Sequence, residues 1–144
     1  MGLLLGSFPS LAHHAFDSEF DPMKVVKIQG VVTMIARMNP HSLIFVDARN
    51  DKGVGEYWAV ETLPALQLNA YGLGPTGSLK VGDKIEGCGF TTKDGVAAMK
   101  SYQAQEPISE SLKSIPRPIF SGRLVSPKVL TLPGGKKLGS GTCE

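Results

Sequence analysis

The run from Val25 to Ala36 alternates apolar and polar residues and is rich in β-branched side chains, a period of two that suits a half-buried strand. Similar runs follow, each bounded by a turn signal. Asn39-Pro40-His41 starts a turn ahead of Leu43 to Ala48, because Pro40 fixes its own φ and keeps Asn39 out of the helical region. Asn50-Asp51-Lys52-Gly53 turns the chain into a third strand, Gly55 to Thr62, which carries Tyr57, Trp58 and Val60. Leu63, Leu66 and Ala70 then recur at helical spacing, with Pro64 where a first helical turn tolerates it and Gly72 where a helix stops, so one short helix is expected. Lys84 to Phe90, the turn Lys93-Asp94-Gly95 and Val96 to Tyr102 read as a second hairpin, with Asp83 and Asp94 as turn residues. Val129 to Leu132, a Pro133-Gly134-Gly135 turn and Lys136 to Leu138 end the pattern, the last strand closing the sheet.

These elements predict an all-β protein with one short helix, in the order of a five-stranded, partly open barrel of the oligonucleotide/oligosaccharide-binding (OB) type. Seventeen glycines and ten prolines in 144 residues suit one small domain rich in turns. We assign the domain to residues 13–139, with residues 105–127, which contain Pro107, Pro116, Pro118 and Pro127, as an irregular insertion and 140–144 as a flexible tail.

Fifteen basic and thirteen acidic residues leave a net charge of +2, and no basic run exceeds Lys136-Lys137. Tyr57 and Trp58 have only the scattered Arg37, Arg49 and Lys52 near them in sequence, so a nucleic-acid partner is not expected. Trp58, inside an alternating strand, reads as a sheet anchor. No stretch approaches the roughly 18 apolar residues of a membrane span.

Residues 1–12 are apolar and uncharged and end in Ser10-Leu11-Ala12, the small-residue pattern of a signal-peptidase site, although a basic n-region is missing. They are read as the remnant of a secretory signal, which makes a periplasmic or secreted protein the expectation. Cys88, in an apolar strand, and Cys143, beside the C-terminus, are read as one buried and one exposed thiol in preference to a bridge.

The three histidines fall in two places, His13-His14 and His41. Cleavage after Ala12 would make His13 the first residue, so that its α-amine and ring nitrogen chelate one metal ion and His14 or His41 adds a further nitrogen: a histidine brace. Nitrogen ligands of this kind favour copper, with nickel and zinc behind it. Asp17, Glu19 and Asp21 either orient those imidazoles, supply a carboxylate ligand that would suit zinc better, or form a solvated acidic stretch. Met23, Met34, Met38 and Met99, at unrelated spacing, are read as core packing and not as soft ligands. No nucleophile motif, zinc-protease motif or phosphate-binding glycine loop is present, and Glu56 and Glu61 read as strand-surface charge. A binding module is therefore favoured over an enzyme.

His13-His14-Ala15-Phe16, Phe20-Asp21-Pro22, Asn39-Pro40-His41, Trp58-Ala59-Val60-Glu61, Leu79-Lys80-Val81-Gly82-Asp83 and Leu132-Pro133-Gly134-Gly135-Lys136-Lys137-Leu138 together resemble a family of small exported proteobacterial proteins of uncharacterised function. The resemblance spans most of residues 13–104 and 128–139. It implies an export signal ending just before the histidine pair, and a site that joins the pair to Asn-Pro-His. The expected function is a periplasmic or secreted metal-binding module with copper at His13, His14 and His41. Two other readings stand beside it: an accessory subunit docking on another exported protein, or on a second copy, through residues 105–127 and a strand edge; and a metal-dependent enzyme.

Overall fold

The computed structural model describes residues 18–49, 52–93 and 123–144. The expected leader at 1–12, the strand at Val96 to Tyr102, and most of the 105–127 stretch lie outside them. Six strands and one α-helix are present among the described residues: β1 (Phe20–Ala36), β2 (Leu43–Arg49), β3 (Gly55–Glu61), α1 (Ala65–Ala70), β4 (Lys84–Thr92), β5 (Arg123–Thr131) and β6 (Lys137–Gly139). The class is all-β with one short helix, as the sequence predicts.

Neighbouring strands run β3-β2-β1-β4-β5-β6, and a further β3–β5 pairing joins five of them into a ring. All these pairings are antiparallel except that of β3 with β5, where Trp58 to Val60 lie beside Arg123 to Val125. Ring closure is therefore the work of β5, and β6 lies outside the ring on the free side of β5. The closing strand thus contains the Val129 run expected to close the sheet, but the residues that meet β3, Arg123 to Val125, lie upstream of that run. β5 also begins within the stretch read as irregular. Its Pro127 is accommodated by a bulge: Gly89 pairs with Pro127 and Cys88 with Val129, leaving Lys128 as the extra residue beside a proline that has no N–H to give.

The 17-residue β1 serves two partners, β4 along its first part and β2 along its second. Gly30 sits at the crossover, paired with both Ala48 and Ile85. The backbone of β2 comes so close there that a side chain would meet it. Alternate residues of β1 to β5, among them Ile28, Val32, Ile44, Val46, Val60, Ile85 and Leu130, point into the ring and form the main core with Trp58. β2 is buried on both faces: Leu43 and Phe45, between the inward residues, belong to a second cluster with Phe20, Ala36 and Ala59.

Leu68 and Leu73, from α1 and the turn after it, complete the main core, with Leu63 packed against it. Of the residues at helical spacing, Leu66 is 78% exposed. The helix starts only after Pro64, so Leu63 reaches the core from extended chain and Leu68 is the residue that α1 buries. Beyond Tyr71 the chain reverses at Gly72, whose φ is +72°. Lys136 donates through Nζ to the Tyr71 carbonyl, placing a cation at the carbonyl end of the helix. Lys136→Ala is expected to lower stability by about 1 kcal/mol in urea denaturation, since that carbonyl then has only water as donor.

The methionines divide. Met34 and Met38 pack on the second cluster. Met23 is 89% exposed and is not a core residue; it falls where the β1–β4 register shifts between Phe20 and Val25. Trp58 is buried, as a sheet anchor should be.

Cys88 and Cys143 form a disulfide with a Cα–Cα distance of 5.6 Å, which corrects the reading of two separate thiols. The reason is tertiary. Val129 pairs with Cys88 on one side and with Gly139 on the other, so the tail leaving β6 has only to pass over β5 to reach β4.

Candidate functional site

The turn between β1 and β2 carries the one histidine among the described residues, His41, and its backbone is held at several points. Ser42 Oγ donates to the Met38 carbonyl and accepts from the Met38 N–H, each at 3.3 Å. The Ser42 N–H donates to Leu63 O at 3.1 Å, and the Thr62 N–H and hydroxyl both donate to Ser42 O, at 2.8 and 3.1 Å. Arg37, just before the turn, donates from Nε to Leu73 O and from Nη2 to Gly74 O. These contacts fix the turn to the end of β3 and to the loop after α1. A histidine there has a set position, unlike one in a loose loop.

Its side chain meets Glu61, the last residue of β3. Glu61 Oε1 accepts from His41 Nδ1; the Glu61 side chain is only 12% exposed, while that of His41 is 47% exposed. A carboxylate so nearly buried requires such a partner. In a neutral imidazole such a contact places the proton on Nδ1 and leaves the Nε2 lone pair available to a ligand. A carboxylate behind a half-exposed imidazole is the arrangement that orients histidine ligands in metal sites.

Glu61 is thus not the surface charge that its place in an alternating strand predicts. The signal lies in the hairpin. With the turn at Asn50 to Gly53, Arg49 pairs with Gly55, and counting back along both strands brings Leu43 opposite Glu61, two residues from His41.

His13, His14 and Asp17 lie outside the described residues. Asp21 is engaged locally: Oδ1 accepts from the Met23 N–H at 3.0 Å and Oδ2 lies 3.5 Å from Lys24 Nζ. Among the described residues, no three of histidine, cysteine, aspartate and glutamate are grouped to hold a metal ion. Phe20 bears on how the leading histidines relate to His41. It packs in the second cluster with Ala36 and Leu43, the residues that flank the His41 turn, and Met38 of that turn packs on the same cluster. Thr92, paired with Phe20, is buried there with no hydrogen-bond partner for its hydroxyl among the described residues.

The fold and this rim define a small all-β domain that presents a carboxylate-backed histidine at one end of a strand ring. The chain belongs to a family of unknown function (DUF6152), which it matches over residues 2–100. That span takes in all three histidines and Glu61 and stops short of β5, β6 and Cys143. Comparison with curated proteins and with solved structures returned no match. Among the described residues no helix is long and apolar enough to cross a membrane, a statement that leaves strand-based spanning aside.

Proposed function

We propose that this protein is an exported binding module, periplasmic or secreted, that holds one transition-metal ion through His13, His14 and His41. The observation that carries the reading is the His41–Glu61 pair: a nearly buried carboxylate fixes the tautomer of a half-exposed imidazole and leaves Nε2 to ligate. Chain reach supports it as well. The six residues from His14 to Phe20 span at most about 20 Å, and Phe20 sits in the cluster that borders the His41 turn. Nitrogen donors from imidazole and a terminal amine suit copper first, with nickel and zinc after it. The disulfide fits export, because such bonds persist in oxidising compartments.

The test is intact mass spectrometry and elemental analysis of protein recovered from outside the cytoplasm after expression from the natural gene. The expected product begins at His13 and carries one copper. Protein that keeps residue 12 joined to His13 and carries no metal would overturn the reading.

Two variants probe the site directly. His41→Ala should weaken Cu(II) binding at least about a hundredfold, by loss of one ligand, while Glu61→Gln should weaken it about tenfold to a hundredfold, by loss of the carboxylate that orients the ring. Competition against a chelator reads both. Equal affinity in Glu61→Gln and the parent protein would mean that the carboxylate serves the fold and not the metal.

A further inference from the structure

On the outer face of the ring, away from the His41 pair in sequence and sharing no residue with it, β1, β4 and β5 form a groove of about 430 Å³. Strand register explains what lines it. Gln29 pairs with Glu86 and Glu86 with Thr131, so three polar side chains stand in one row across three strands. The next row pairs Val31 with Lys84. Inward neighbours Ile28, Val32, Ile85 and Leu130 are buried, which confirms that this row and the next face outward.

Among the described residues, the side chains of Gln29, Lys84, Glu86 and Thr131 have no hydrogen-bond or ion-pair partner, although all border one concavity. Lys84 and Glu86 are two residues apart on one face of β4, about 7 Å along the strand, and their charges are not joined in an ion pair. Val31, 38% exposed and paired with Lys84, adds an apolar surface beside them. On the other side of the Gln29-Glu86-Thr131 row, the row of Lys27, Cys88 and Val129 lies where the disulfide ties the tail to β4, so the strands beneath the groove are held in place from that side.

We infer that this groove binds a small carboxylic acid carrying a hydrogen-bond donor beside the carboxylate, that is, an α-amino or α-hydroxy acid. Lys84 takes the carboxylate and Glu86 the ammonium or hydroxyl. Gln29 and Thr131 supply further hydrogen bonds, and Val31 meets the ligand's alkyl group. The opposite charges, fixed one strand repeat apart, define a ligand with acceptor and donor at its two ends. A simple anion leaves Glu86 without a donor and brings a negative charge against it.

The test is an NMR titration of the oxidised, full-length protein with L-alanine, L-lactate and propionate, three ligands of similar size of which propionate lacks the donor. Ligands of about six heavy atoms in an open groove bind in the millimolar range. Alanine or lactate should shift the amides of residues 29–31 and 84–86 saturably, and propionate should bind at least about tenfold more weakly. Saturation by alanine alone assigns an amino acid, and by lactate alone a hydroxy acid. Lys84→Gln should weaken binding about tenfold, and Glu86→Gln should abolish the preference over propionate. Both positions are exposed, so the variants keep the fold, which the rest of the spectrum verifies. The proposal is overturned if no ligand saturates, if propionate binds equally well, or if neither variant changes the titration.

Discussion

Gly30→Ala is expected to lower the unfolding free energy by about 3 kcal/mol, and Gly30→Val to remove the cooperative transition. A Cβ at Gly30 would collide with the carbonyl oxygen of Asp47 and lie 2.8 Å from Val46 Cγ1 and 2.9 Å from Ala48 Cα. Two of these three are backbone atoms of β2, which cannot rotate away. β2 cannot retreat either, since Ile44 and Val46 fill the ring interior while Leu43 and Phe45 fill the second cluster. The added methyl must therefore push apart the strands at the point where β1 passes from β4 to β2. Urea denaturation measures the loss. Gly55→Ala is the control, because nothing lies within 4 Å of a Cβ there and its backbone is not in the left-handed region; its effect should be within about 0.5 kcal/mol. Similar midpoints for Gly30→Ala and Gly55→Ala would show that β1 does not cross over as described.

Loss of the Cys88–Cys143 bond should cost about 4 kcal/mol. The two residues are 55 apart, and closing a loop of that length in the unfolded chain removes entropy of about that value. Cys143→Ser is the cleaner variant: Cys143 lies in the partly exposed tail, whereas a hydroxyl at Cys88, which is fully buried, adds a desolvation cost of its own. Denaturant midpoints with and without a reducing agent test the effect. The parent protein should fall to the level of Cys143→Ser when reduced, and the variant should not respond. A parent midpoint insensitive to reduction would mean that the unfolded chain gains no freedom when the bond opens.

Half of the candidate site is legible in the amino-acid sequence. Asn39-Pro40-His41 announces a histidine in a turn, and the alternation on both sides announces the strands. Glu61 reads as one more surface charge because residue type and alternation describe a strand by itself, while the charge is covered only when the turn before β2 folds beside the end of β3. The hairpin count from Asn50 to Gly53 fixes the pairing of Leu43 with Glu61. It does not fix the path of the turn beyond that last pair, which is what brings His41 onto the carboxylate. Met23 and Met38 show the same gap. One lies in β1 and the other just after it, yet Met23 is exposed and Met38 packs on the cluster that contains Phe45, because burial depends on which segment lies across the strand.

By itself, the order of residues determined the all-β class, the presence of one short helix between Leu63 and Gly72, and where β2, β3 and β4 begin, since alternation, proline and glycine act within a few residues of where they stand. It also determined that Trp58 anchors a sheet. Only the tertiary structure decided that β5 closes the ring against β3, that the tail crosses back to Cys88, and that a carboxylate stands behind His41. Each of these joins residues that stand far apart in the chain. Their energies depend on register and on the crossing of strands at Gly30, quantities set by the whole ring and by no single segment of the chain.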